Sequence, residues 1–254
     1  MGELKRKASE YTDAFDGASP LADASNRAQK ASKIRAVLSA EGVFGRSGLR
    51  ILDIGCSYGL ILKCLTPGDG LGVGIDIDRS LGPNEDNVVF VRTDAETLPF
   101  PDASFDVVIC NHVYEHTDDA PALLAEIGRI LADDGVCYFA GPNKYELIEP
   151  HYRLPLLSWL PRPLADRYMR LAGEGDSYPE KPYSPRRLRE LVRPFDVTVY
   201  TEQILRDPAR FAATDILPPG SAKRLIALLV YRIVPFVFPG FIYTLKKQAG
   251  QPLR

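Results

Sequence analysis

The sequence predicts an α/β protein built on a parallel β-sheet with helices on both faces. Three observations carry this. Short apolar runs recur through the first 143 residues: LRILDIG (49–55), LGVGIDID (71–78), VVFVRTD (88–94), FDVVICN (105–111) and VCYFAGPN (136–143). Each has strand length and stops at Gly, Asp or Asn, as fully buried strands do. Segments of helical character alternate with them, and strands alternating with helices require right-handed crossovers over a sheet covered on both sides.

Taken in order, residues 1–25 are polar and read as a flexible lead-in, and residues 26–254 as one domain. NRAQKASKIRAVLSAE (26–41) places Ile34, Val37 and Leu38 on one helical side before GVFGRSG breaks the chain. Leu60 to Leu65 reads as the helix after the first strand. APALLAEIGRILADDG (120–135) has Leu123, Leu124, Ile127, Ile130 and Leu131 at the 3.6 period, with Gly135 where a helix ends. FDVTVYTEQ (195–203) and FIYTLKK (241–247) read as later strands.

The chain has 254 residues, 45% of them hydrophobic and 25% charged. That composition belongs to a folded globular protein rather than a disordered chain, collagen or coiled coil. The net charge of −2 provides no global field for nucleic acid. It hides an asymmetry: residues 1–150 carry 14 Lys+Arg against 24 Asp+Glu, and residues 151–254 carry 17 against 9. Four dispersed cysteines (Cys56, Cys64, Cys110, Cys137) form no CxxC pair, so neither a zinc ribbon nor a disulfide framework is expected, and no metal site is assigned. MGELKRKASEYTDAF lacks the apolar core of a secretory signal, and a reducing, cytoplasmic setting is expected. The stretch 225–245 is strongly apolar but is interrupted by Arg232, Pro235 and Pro239, whereas a spanning helix needs about 20 clean apolar residues. It reads either as a buried helix and strand or as a surface that meets lipid at the inner face of a membrane.

Ligands of such sheets bind beyond the carboxyl ends of the strands. There the first loop is DIGCSYG (53–59). Gly55 and Gly59 permit a sharp turn and close backbone approach. The loop is neither GxGxxG nor a lysine-bearing phosphate loop, and Asp53 inside it would repel a pyrophosphate while suiting a cationic group. Asp76, 21 positions beyond Gly55, has the spacing of a carboxylate that accepts both ribose hydroxyls, although it could also cap a helix. Asp94 and Ala95 close the third strand, where a side chain and a backbone N–H can read an adenine edge. The ligand so described is an adenosine with a cationic tail and no phosphates. S-adenosyl-L-methionine fits and NAD does not.

In this order, ILDIGCSYGLIL, GVGIDID, RTDAETLPFPDASFDVVICNHVYEHTDD and LLAEIGRILADDGVCYFAGPN resemble the class I SAM-dependent methyltransferases, and among them the type 11, UbiE-like group. The resemblance implies a Rossmann-like seven-stranded sheet of order 3-2-1-4-5-7-6 with the last strand antiparallel and a cap inserted after the fifth. It implies that Asp53, Gly55 and Gly59 hold the methionine part, with Cys56 a common neighbour, that Asp76 holds the ribose and Ile77 packs on the adenine, that Asp94 and Ala95 read the adenine, and that Asn111 lies near the methionine end. Ser57 and Tyr58 depart from the Gly-Thr or Gly-Ser of many members.

Residues 144–195 and 204–240 are then expected to form the substrate cap or membrane-facing elements. EPHYRLPLLSWLPRPLADRYMR resembles, more loosely, methyltransferases encoded beside cell-surface polysaccharide genes. His151 and His112 are the candidate general bases, since imidazole titrates near neutrality. His116 reads as a satisfied histidine beside a helix start, Tyr114 as local packing, Glu115 as solvated surface and Asp106 as a structural tie. Trp159, Tyr152 and Tyr183 offer acceptor walls or core packing. Arg162, Arg167, Arg170, Arg186, Arg187 and Arg189 could meet a phosphate or carboxylate. The expected reaction is O-methylation of a small or lipid-linked acceptor, a glycan among them. The alternatives are a quinone or natural-product methyltransferase and a non-catalytic SAM-binding scaffold.

Overall fold

The computed structural model describes residues 24–78 and 81–248. Of the expected lead-in, residues 1–23 lie outside the described residues, whereas Ala24 and Ser25 already begin a helix.

Seven strands form one sheet: β1 (Arg50–Ile54), β2 (Leu71–Asp76), β3 (Val88–Arg92), β4 (Phe105–Asn111), β5 (Leu131–Gly141), β6 (Phe195–Val199) and β7 (Phe241–Lys247). Their order is β3-β2-β1-β4-β5-β7-β6. The first five pair in parallel, and β7 is antiparallel to both of its neighbours. This is the Rossmann-like arrangement expected.

Alternation along the central strands divides the core into two layers. Ile51, Val107, Ile109 and Tyr138 point to one face, which is covered by α1 (Ala24–Ala40) through Ala31, Ile34, Val37 and Leu38, and by α2 (Leu60–Leu65). Leu52, Ile54, Val108, Cys110, Cys137 and Phe139 point to the other. There α3 (Ala120–Ile130) inserts Leu123, Leu124, Ile127 and Ile130, all fully buried or nearly so. Each such side chain contributes about 1.5–3 kcal/mol by leaving water. Asp119 caps α3, accepting the backbone N–H of Ala122 at 3.0 Å.

Two boundaries differ from the sequence reading. The helix expected to run to Gly135 stops at Ile130, because Leu131 pairs with Phe105 and opens β5. Leucine satisfies either period, and the edge of β4 decides. The strand expected over 195–203 stops at Val199, and Thr201–Arg206 forms α6.

The segment after β5 builds a layer over the carboxyl ends of the strands. It contains a short turn at Leu157–Trp159 and α4 (Arg162–Ala172), held by a small apolar cluster of Leu157, Ala165, Met169 and Tyr178. It is fastened below by Lys181 N–H to the Glu115 carbonyl (2.8 Å) and by Tyr183 N–H to the Tyr114 hydroxyl (3.2 Å). The chain returns through α5 (Pro185–Leu191), which buries Leu188 in the main core. Between α6 and β7 lies α7 (Ala222–Ile233), which buries no residue. This corrects the reading of 225–245 as a buried helix and strand: β7 is a sheet strand with Leu245 fully buried, but α7 exposes Leu225, Ile226, Leu229 and Ile233. Among the described residues no helix is long and apolar enough to cross a membrane.

Candidate active site

The strand ends gather the expected cofactor residues along one rim. Gly55 N–H and Cys56 N–H both donate to the Ile75 carbonyl, at 2.8 and 3.0 Å, tying the first loop to β2. Asp76 continues the tie: one oxygen accepts Ser57 N–H and the other Asp78 N–H, each at 2.9 Å. Gly55, Ser57 and Gly59 all have φ between 50° and 72°. At Gly59 a Cβ would also lie 2.3 Å from the Phe90 ring, so glycine is required there by both backbone and neighbour. A Cβ on Gly55 would meet Val113 Cγ2 at 2.7 Å, which shows how tightly the loop after β4 is seated against the loop after β1.

Asp53 is 4% exposed, and among the described residues no group donates a hydrogen bond to its carboxylate. Burial, with the nearby charge of Asp76, pushes its pKa up to about 8, against a pull from Arg27. Arg27, in the first turns of α1, lines a small recess with Cys56, Ser57 and Ile61; nothing in its sequence context singled it out. The Cys56 thiol is pushed up by burial and by the Asp53 and Asp76 carboxylates, so it is held unreactive.

The remaining expected residues follow the same rim. Ile77 is half-buried, and its carbonyl accepts Arg92 Nε at 2.8 Å. Asp94 accepts Glu96 N–H at 3.1 Å, and Ala95 packs against the core. Asn111 ends β4 opposite Ala140. Asp106 is structural, as expected: it accepts Arg50 N–H at 2.9 Å and pairs with the Arg50 guanidinium at 2.7 Å.

Beside the rim, all three histidines of the chain meet. His112 is half-exposed with φ 57°, and its Nδ1 lies 3.4 Å from Glu115 Oε1. His116 Nε2 lies 3.9 Å from the same oxygen, and the His116 and His151 rings meet edge to face at 5.1 Å. His151 Nδ1 pairs with Glu149 Oε1 at 2.7 Å, while Glu149 Oε2 accepts the His151 and Tyr152 N–H groups at 2.8 Å each. Glu115, read from sequence as solvated surface, is fully buried. The layer after β5 lies over it, a contact that no local pattern reveals. Tyr114 is packing, as expected, donating to the Pro142 carbonyl at 2.6 Å.

Burial pushes His116 down to about 4. It pushes Glu146 up to about 8, with Glu149 adding to the rise, and Glu180 up to about 7. His151 is raised: its burial opposes protonation, but the Glu149 carboxylate prevails.

A cleft of about 290 Å³ opens beside this cluster, lined by Lys144, Arg162, Tyr178, Glu180, Lys181 and Arg187 among others. Of the six arginines considered from sequence, Arg162 and Arg187 reach it, and the Arg187 guanidinium lies 3.8 Å over the Tyr183 ring. Arg170 donates to the Asp176 carbonyl, and Arg186 pairs with Glu190 on the surface. Trp159 turns its indole N–H to the Glu146 carbonyl (2.8 Å), and Tyr152 donates to Glu180 (3.3 Å).

Residues 52–139 match the family described as methyltransferase domain. The chain is 31% identical over 99 residues to the uncharacterized methyltransferase YcgJ of Bacillus subtilis, covering 35% of this chain and 39% of that one. It is 32% identical over 129 residues to the ubiquinone biosynthesis O-methyltransferase of Mesorhizobium japonicum, covering 45% and 51%. The matched segment thus spans no more than about half the length of these relatives. The fold is also that of phosphoethanolamine N-methyltransferase 2 of Haemonchus contortus, with a TM-score of 0.51 at 16% identity, covering 85% of this chain and 53% of that one. The seven-stranded sheet is the class I methyltransferase fold, and the matched segment runs from β1 to β5 within it. The matching model is that of the type 11 methyltransferases.

Proposed function

We propose that this protein transfers the methyl group of S-adenosyl-L-methionine to a hydroxyl oxygen of a small or lipid-linked acceptor. The observation that carries the cofactor half is Asp53, a buried carboxylate without a hydrogen-bond donor beside a loop whose backbone is held open by Gly55 and Gly59. A cationic amino group is the complement such a carboxylate lacks. Asp53, Gly55, Cys56 and Gly59 would hold the methionine end, Asp76 the ribose, Ile77, Asp94 and Ala95 the adenine, and Asn111 the side nearest the acceptor.

When bound, the cofactor supplies an electrophilic methyl sulfonium. The chain's own tasks are to align the acceptor and exclude water. Residues 144–195 act as the cap, since they cover the loop after β4 and border the cleft. Of the two candidate bases, His112 is the one open to an acceptor hydroxyl, whereas His151 is held by Glu149. The exposed apolar side of α7, with Lys223, Arg224 and Arg232 on the same helix, favours an acceptor in or near an anionic lipid surface. The likeness to a ubiquinone biosynthesis O-methyltransferase supports a second reading, a quinone or related aromatic acceptor.

Incubation with methyl-labelled cofactor and a panel of hydroxylated quinone precursors and lipid-linked glycans tests the proposal. Label in one acceptor class is the expected result. Cofactor binding with no transfer to any of them would favour a scaffold.

A further inference from the structure

Apart from the Asp53 carboxylate, the described residues have a second group of buried side-chain oxygens without a hydrogen-bond partner, gathered in one place. They are Glu115 Oε1 and Oε2, Glu146 Oε1, Glu180 Oε2 and the Tyr178 hydroxyl. The three glutamates are at most 3% exposed, and Glu149, 1% exposed, lies among them. Four carboxylates gathered in a water-excluded space repel one another, and an oxygen buried without a donor forfeits its hydration. Among the described residues no lysine or arginine is paired with any of them; the cations of the neighbouring cleft line its wall.

Three imidazoles adjoin these carboxylates. Glu115, His116 and His151 each present one ligand atom, and the three atoms lie within 4.8 Å of one another. With metal–nitrogen and metal–oxygen bonds of about 2.0–2.2 Å, two ligand atoms sharing an ion stand about 3–4 Å apart. The His116–Glu115 separation of 3.9 Å already falls in that range. The His151 ring is oriented as metal-bound imidazoles commonly are: Nδ1 meets the Glu149 carboxylate at 2.7 Å, and Glu149 is fixed by two backbone N–H groups. The nitrogen that His151 offers an ion is then Nε2.

We propose that Glu115, His116 and His151 form a binding site for one divalent first-row transition ion, with Glu149 as the positioning carboxylate of His151. Two imidazole nitrogens and one carboxylate select an ion of the Mn²⁺ to Zn²⁺ series over Mg²⁺ or Ca²⁺, which prefer oxygen ligands alone. Glu180 and Tyr178 belong both to the orphaned oxygens and to the cleft wall, so the ion sits at the side of the cleft and can take an acceptor oxygen as a further ligand. The site does not depend on the cofactor assignment, and the test reads metal binding rather than methyl transfer.

The full chain, stripped with chelator, is titrated with Zn²⁺ by calorimetry and with Co²⁺ by visible absorption. The expected result is one ion per chain, d–d bands of a nitrogen- and oxygen-ligated Co²⁺, and a higher Tm with Zn²⁺. His116→Ala and His151→Ala should each weaken binding by at least about 100-fold, and Glu149→Gln by about 10–100-fold. Glu149→Gln keeps the shape of the side chain and serves if an alanine variant fails to fold. The proposal is overturned if the wild-type chain takes up no stoichiometric ion at about 100 μM, where a site of this kind should be filled. It is equally overturned if the folded variants bind within about threefold of wild type.

Discussion

Asp53, the proposed partner of the cofactor's cationic group, carries a cost to stability. Its pKa of about 8 in the fold stands against about 3.9 in an unfolded chain. The folded protein therefore holds a proton that the unfolded chain releases between those values. Its contribution is fully present below pH 4 and is lost as the pH rises towards 8. Asp53→Asn should stabilise the cofactor-free protein at pH 8, by on the order of 2–4 kcal/mol in chemical denaturation, and leave it little changed at pH 4. A bound cationic amino group reverses the preference and expels the proton. Binding of S-adenosyl-L-methionine at pH 7 should thus release close to one proton, read from calorimetry in buffers of differing ionisation enthalpy. Gly59→Ala tests the loop itself: with φ at 72° and Phe90 2.3 Å from the new carbon, it should cost about 2–4 kcal/mol.

At the scale of elements, the strands of the first half were legible because burial on both faces writes continuous apolar runs, and the proposed cofactor residues stand together because they lie at the ends of those strands. The limits have physical causes. Leu131 fits a helix and a strand equally, and only pairing with Phe105 assigns it. Glu115 lies 36 positions from His151 in the chain, so its burial depends on a layer that local pattern does not contain. The three histidines were each read singly, and NHVYEHTDD places His112, Glu115 and His116 together, but their meeting with His151 depends on the layer after β5. In α7 the apolar residues were evident, but an apolar face does not state whether protein or lipid covers it. Replacing Leu225 and Leu229 together by Glu should change stability by no more than about 0.5 kcal/mol per site, since both are more than half exposed, while reducing flotation with anionic vesicles. A loss of several kcal/mol would show instead that the face supports the fold.

Across the whole molecule, the acidic residues 1–150 include the proposed cofactor rim and the basic residues 151–254 include α7 and most of the proposed cap. This division suits a cationic donor on one side and an anionic, partly apolar acceptor on the other. Association with anionic vesicles should therefore weaken as salt rises from about 0.05 to 0.5 M, over which the screening length falls several-fold. Calorimetric titration of the full chain with the proposed donor is the decisive measurement. One site for S-adenosyl-L-methionine is expected, with no measurable binding of NAD and about 100-fold weaker donor binding in a folded Asp53→Asn variant. Equal binding of NAD, or donor affinity unchanged by that substitution, would contradict the proposed donor site.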